Sequence, residues 1–129
     1  MQELRRIATC IVIVLLIGCG KQVQSMQTLA QSEFATLVEE GECQILDVRT
    51  TDEYAKGHLK KSINIDFKLP NFAERCAAIL EKRKVVAIYC RSGKRSNAAG
   101  RILSDMGYDV REMGGGILEW KGKVVYGVE

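Results

Sequence analysis

Val85-Val86-Ala87-Ile88-Tyr89-Cys90-Arg91-Ser92-Gly93-Lys94-Arg95-Ser96 joins two structural patterns across one short loop. Val85 to Tyr89 is the most uniformly apolar run after the N-terminus, as a central parallel strand covered on both faces requires. Asn97 to Met106 then reads as a helix, with Ala99, Ile102, Leu103 and Met106 on its apolar face and Gly107 as its stop. A strand therefore delivers a cysteine into a turn from which a helix leaves. In an open α/β sheet such turns lie at the carboxyl ends of strands, where ligands collect. The loop holds one thiol, three cations, one glycine and two hydroxyls. That composition suits a thiolate that must hold an anion.

The flanking chain supplies the rest of an α/β pattern. Ala30, Phe34, Leu37 and Val38 have the spacing of one buried helix face, with Thr28 and Gln31 as a candidate capping box, Ser32 as a rival start and Gly41 as the stop. Ile45 to Val48 is a short strand, and Thr50 with Glu53 is a second capping box, opening a short helix that ends near Gly57. Ile63-Asn64-Ile65 alternates as another strand. Asn71 with Glu74 opens a helix whose face is Phe72, Cys76, Ile79 and Leu80. Tyr108 to Met113 is a last strand, followed by the permissive turn Gly114-Gly115-Gly116 and a short amphipathic piece through Ile117, Leu118 and Trp120. Ala98, Ala99 and Gly100 are small enough to bring their helix close to a sheet. Strands alternating with helices give an α/β class with a mainly parallel sheet.

A thiol attacks only as its thiolate. Three features of this loop favour the anion: a helix N-terminus, successive amides from Arg91 to Arg95 that can curl into a nest, and the charges of Arg91, Lys94 and Arg95. Gly93 permits the tight turn. Arg95 is the cation expected to contact the anion, and Arg91 and Lys94 either assist it or are merely solvated. Arg49, at the end of a neighbouring strand, either faces the pocket or forms a structural salt bridge. No second cysteine stands at Cys-x-x-Cys spacing, which argues against a dithiol motif and against zinc. His58 is the only histidine and lies outside the loop.

These residues resemble the rhodanese family of sulfurtransferases. Cys90-Arg91-Ser92-Gly93-Lys94-Arg95-Ser96 resembles the six-residue active loop of that family with the residue after it. Asp47-Val48-Arg49, Glu53-Tyr54 and Gly57-His58-Leu59 resemble its Asp-Val-Arg, Glu-Tyr, Gly-His-Ile signature, and Gly115-Gly116-Ile117 with Trp120 resembles its closing motif. One local departure is Leu59-Lys60-Lys61-Ser62 in place of Ile-Pro-Gly-Ala, expected to alter a surface turn. The resemblance implies a three-layer fold around a five-stranded, mainly parallel sheet, spanning residues 28–129. It implies Cys90 as a persulfide-forming nucleophile, with Arg91, Ser92, Gly93, Lys94 and Arg95 as the pocket for an anionic donor such as thiosulfate. The acceptor is then cyanide or a thiol, with a protein acceptor also open, and no cofactor or metal is required. Asp47 and His58 are expected to be structural, and Trp120 to pack.

Two other classes are weighed against this. A non-catalytic module of the same fold usually lacks the cysteine or the loop cations, both present here. A phosphatase or arsenate reductase of the Cys-x5-Arg kind needs a seven-residue loop, whereas Arg95 follows Cys90 after four residues.

The N-terminus has its own pattern. Arg5 and Arg6 precede the apolar run Ile7 to Ile17, too short to span a bilayer but long enough for a secretory signal. Leu16-Ile17-Gly18-Cys19 resembles a bacterial lipobox, which implies cleavage after residue 18 and lipidation of Cys19. Residues 1–18 are then a signal peptide and 19–27 a polar tether, with Val23 to Met26 as an optional first strand. The expected location is the bacterial cell envelope, lipid-anchored and facing the periplasm. Export would permit a Cys43–Cys76 disulfide, with a buried free thiol at Cys76 as the alternative. A formal charge of +3 on 129 residues, with few aromatics, excludes a nucleic-acid surface.

Overall fold

The computed structural model describes residues 26–128; the expected signal peptide, Cys19 and most of the expected tether lie outside them. Within that span the elements are β1 (Met26–Leu29), α1 (Gln31–Glu40), β2 (Gln44–Asp47), α2 (Thr51–Ala55), β3 (Ile63–Asn64), α3 (Phe72–Ile79), β4 (Val86–Tyr89), α4 (Lys94–Asp105) and β5 (Val110–Met113), then a 3-10 turn at Ile117–Glu119. Among the described residues the five strands form one sheet in the order β1-β5-β4-β2-β3, with every pairing parallel. Helices cover both faces, so the expected three-layer α/β architecture is present.

β4 lies at the centre of this sheet and is buried along its whole length. Its alternation divides the core. Val86 and Ile88 point to the face packed by Phe72, Cys76, Ala99 and Leu103 of α3 and α4. Ala87 and Tyr89 point to the face packed by Phe34 of α1. Each such buried large side chain contributes about 1.5–3 kcal/mol by leaving water. Register also places the ends of the strands together: Leu29 pairs with Met113 and Asp47 with Tyr89. Cys90 thus follows the last residue of the central strand, on the face of Val86 and Ile88.

Several elements differ from the pattern in the sequence. Thr28 lies in β1 and caps nothing; its hydroxyl donates to Glu112 (2.9 Å). α1 begins after Ala30, whose amide donates to Glu33 (3.2 Å). Of the proposed first strand Met26 lies in β1, which also takes Gln27 from the tether, and residues 23–25 lie outside the described residues. The Asn71 capping box does not form: Asn71 makes no capping bond, and the Phe72 amide donates instead to the Leu69 carbonyl. Ile79 and Ile102 face outward at 46% and 39% exposure, because Phe72, Cys76 and Leu80 on one side, and Ser96, Ala99, Gly100 and Leu103 on the other, define the buried stripes. Gly100 is the small residue that matters, since a Cβ there would lie 2.9 Å from the Met26 sulfur. Ala98 is exposed. The Thr50–Glu53 box does form, with the Glu53 amide donating to Thr50 Oγ1 (3.3 Å).

Cys43 packs on the α1 face and Cys76 on the α3–α4 face. The sheet separates them, both are free thiols, and the disulfide is excluded. No helix among the described residues is long and apolar enough to cross a membrane.

Candidate active site

Helix α4 starts at Lys94, three residues earlier than its apolar pattern suggests, so the cations at 94 and 95 occupy its first turn. Gly93 makes this possible. Its φ of 106° is a left-handed conformation that turns the chain sharply from strand end to helix, and as N-cap it carries no side chain to satisfy the first-turn amides. Those amides remain open to an anion. The Gly93 amide itself donates to Cys90 Sγ at 3.1 Å. Cys90 is only 1% exposed.

The loop is braced from behind by the glycine turn. Ile117 donates its amide to the Cys90 carbonyl (2.9 Å), and Leu118 donates to that of Arg91 (3.1 Å). This approach needs glycine at 116, where a Cβ would fall 2.3 Å from the Arg91 oxygen. The turn is pinned in its own right, since Gln31 Nε2 donates to the carbonyls of Gly114 (2.6 Å) and Gly116 (3.0 Å). Trp120 packs edge-on to Phe34 at 6.2 Å, as core, not as a substrate platform.

Beneath the helix start lies Glu112, 2% exposed. It accepts from Ser96 Oγ (2.8 Å), Thr28 Oγ1 (2.9 Å) and Asn97 Nδ2 (3.2 Å). Sequence reasoning passed over this residue. Its signal was a carboxylate facing inward from a buried strand, which must find donors.

The structure gathers Arg91, Ser92, Gly93, Lys94 and Arg95 around Cys90. Arg91, Ser92 and Lys94 are exposed, and neither Arg91 nor Lys94 has an ion-pair partner among the described residues. Arg95 is engaged: Nη1 and Nη2 donate to the two carboxylate oxygens of Glu53 at 2.7 and 2.8 Å. That fork holds the Glu53 carboxyl down at about 2, against the burial that opposes its charge.

Arg49 is not part of this group. Its Nε and Nη2 donate to Asp47 (3.1 and 2.7 Å), Nη2 also donates to the Gly57 carbonyl (2.7 Å), and its side chain is 7% exposed. Burial opposes the guanidinium charge, and Asp47 more than restores it. Of the two readings of Arg49, the one that lines the donor pocket is corrected and the structural salt bridge is present: its donors serve the strand end. His58 stacks on Tyr54 at 3.5 Å between ring centres and places Nδ1 2.8 Å from the Tyr54 carbonyl, so it too is structural. Cys76, on the same core face as Cys90, is pushed up to about 11 by burial. No group of three or more His, Cys, Asp or Glu that could hold a metal occurs among the described residues.

In sequence and in fold the chain is similar to known proteins. Residues 30–123 match the family model described as Rhodanese-like domain. The chain is 33% identical to Thiosulfate sulfurtransferase 18 of Arabidopsis thaliana, over 81% of its own length and 85% of the relative's. It is 40% identical to Thiosulfate sulfurtransferase PspE of Escherichia coli, over 56% of this chain and 68% of that protein. Among solved structures it is similar to a rhodanese-related protein of Thermoplasma volcanium (TM-score 0.68, 29% identity, 77% and 97% coverage). A second is a rhodanese from E. coli solved with anions (TM-score 0.55, 35% identity, 65% and 98% coverage).

Proposed function

Because the chain belongs to the rhodanese-like domain family, we propose that it is a sulfurtransferase that carries sulfane sulfur as a persulfide on Cys90. The observation that carries this reading is the contact of the Gly93 amide with Cys90 Sγ (3.1 Å), at the uncapped start of α4. A negative sulfur there is met by that amide and by the positive end of the helix. The Cys90 thiolate attacks the outer sulfur of a donor such as thiosulfate, a new S–S bond forms, the old one breaks, and sulfite departs with its electron pair. The outer sulfur of the persulfide then lies about 2 Å further out, where cyanide or a thiolate can remove it and restore Cys90. Loop amides and the cations at 91, 94 and 95 hold the donor's anionic end. The relatives named for thiosulfate sulfur transfer and the E. coli rhodanese solved with anions support the donor class.

A cysteine and all three loop cations distinguish the chain from a non-catalytic module. Six residues from Cys90 to Arg95 make a tighter cradle than an oxyanion phosphatase needs. Thiosulfate and cyanide should yield thiocyanate with the wild-type chain and none with Cys90→Ser. Thiocyanate from Cys90→Ser, or none from the wild type, contradicts the reading.

The anchoring belongs to the same proposal and rests on Arg5, Arg6, Ile7 to Ile17 and the lipobox. Cys19 carries lipid and holds the domain in the cell envelope, facing the periplasm. Expressed in a bacterium, the chain should sediment with membranes and Cys19→Ala should not; identical fractionation of the two refutes the anchor.

A further inference from the structure

The rim of the Cys90 loop contains one fixed cation, and it is fixed from outside the loop. Glu53 belongs to α2, in the connection between β2 and β3, yet both its oxygens meet the Arg95 fork at the start of α4. Glu53 is in turn held in place. Its Oε1 accepts from the Thr50 amide (3.4 Å), the reciprocal bond of the α2 capping box, and also from Thr50 Oγ1 (3.1 Å). A chain of directional contacts therefore runs from the end of β2 to the first turn of α4. Arg91 and Lys94, by contrast, are exposed and have no such tether among the described residues.

We propose that Glu53 is a positioning residue for sulfur-donor binding: locked by the α2 capping box, it holds the Arg95 guanidinium at the rim of the Cys90 loop, where the donor's anionic end must pass. This rests on the sulfurtransferase reading for the identity of the donor. An untethered arginine loses rotamer freedom each time an anion binds, whereas a held one has lost it already. Glu53 occupies only the Nη1–Nη2 edge; none of the described residues accepts from Arg95 Nε, so a donor edge is left for a ligand. The proton near the pair stays on the arginine, because the same fork keeps Glu53 ionised.

The sign of the effect separates this role from a plain field effect. Removing a negative charge from the rim would by itself draw a dianion in more tightly. Losing the position of Arg95 would weaken its binding. The test is thiosulfate affinity by calorimetry on the full chain in the Cys90→Ser background, which reads binding without turnover, together with KM and kcat of the active chain. Glu53→Ala should raise the thiosulfate Kd and KM about 3–10-fold with kcat within about twofold, the scale of one lost directional contact at a partly exposed site. Glu53→Gln keeps an acceptor for the guanidinium and should recover at least half of the loss. Glu53→Asp keeps the charge without the reach, and should weaken binding at least about 3-fold by the same argument. In the Arg95→Gln background Glu53→Ala should weaken nothing further. Unchanged or tighter binding in Glu53→Ala overturns the proposal, as does an equal loss in the Arg95→Gln background. If the wild type makes no thiocyanate yet the binding pattern holds, the sulfurtransferase reading fails and the positioning role stands.

Discussion

Two arginine–carboxylate pairs leave the carboxyl ends of neighbouring strands, and they do different work. Asp47–Arg49 is dry: the side chains are 0% and 7% exposed, and the guanidinium also holds the Gly57 carbonyl. Glu53–Arg95 is at the mouth of the Cys90 loop, with 29% and 21% exposure. Both have fork geometry at 2.7 Å. In the first, the surroundings make each partner indispensable to the other, because a buried charge left alone is costly. In the second, water screens the attraction, and what remains is position. Bond length does not tell these roles apart; burial and neighbours do.

The widest separation between the pairs should appear in stability. Arg49→Ala leaves Asp47 buried and unpaired, and should cost about 3–5 kcal/mol in denaturant unfolding. Arg49→Lys should fall well short of restoring it, since an ammonium cannot supply the fork. A loss under about 1 kcal/mol for Arg49→Ala would put the two pairs in one class.

The glycine turn after β5 braces the Cys90 loop through the Cys90 and Arg91 carbonyls. Gly116→Ala forces its Cβ into the Arg91 backbone at a φ of 66°. It should lower thiocyanate turnover by about tenfold or more, because small displacements of a nucleophile are costly, and by more than any change at Glu53. Near-normal turnover would show that the loop does not depend on this brace.

Glu53→Ala should be the mildest in stability, at about 0.2–1 kcal/mol, and less at high salt. Its acid signature is specific. Folding lowers the Glu53 carboxyl from 4.5 to about 2, so the pair contributes in full above about pH 4.5 and is lost as pH falls through 2. Thermal midpoints measured across that window should fall less steeply in Glu53→Gln than in wild type. Parallel curves would remove Glu53 from the account of acid stability.

Much of this comparison was legible in the chain as written. The Thr50–Glu53 spacing announced a capping box because both partners are local. The β4 run and the cysteine after it located the site because a doubly covered strand must be apolar throughout. What could not be read was long-range. Glu53 serves its own cap and, 42 positions on, Arg95; nothing in a capping box predicts the second partner. Glu112 could be suspected as a carboxylate on a buried strand, but its partners could not, because they come from β1 and α4. Arg49 stood close enough in sequence to the motif to suggest a substrate role, and only tertiary structure showed Asp47 and Gly57 taking its donors. Ile79 and Ile102 fit helical faces that the sheet does not meet, since a stripe's angular position is set by packing and not by periodicity. Cys43 and Cys76 were separated by a sheet whose order no local pattern reveals.

The central claim is that Cys90 is the sulfur carrier, and intact mass tests it most directly. Thiosulfate alone should add one sulfur, about 32 Da, to the wild-type chain, and cyanide should remove it. Cys90→Ser should show no gain, while Cys76→Ser, which removes a thiol held at about 11 by burial, should still take up the sulfur. A wild-type chain without the gain, or a Cys90→Ser chain with it, would contradict the account.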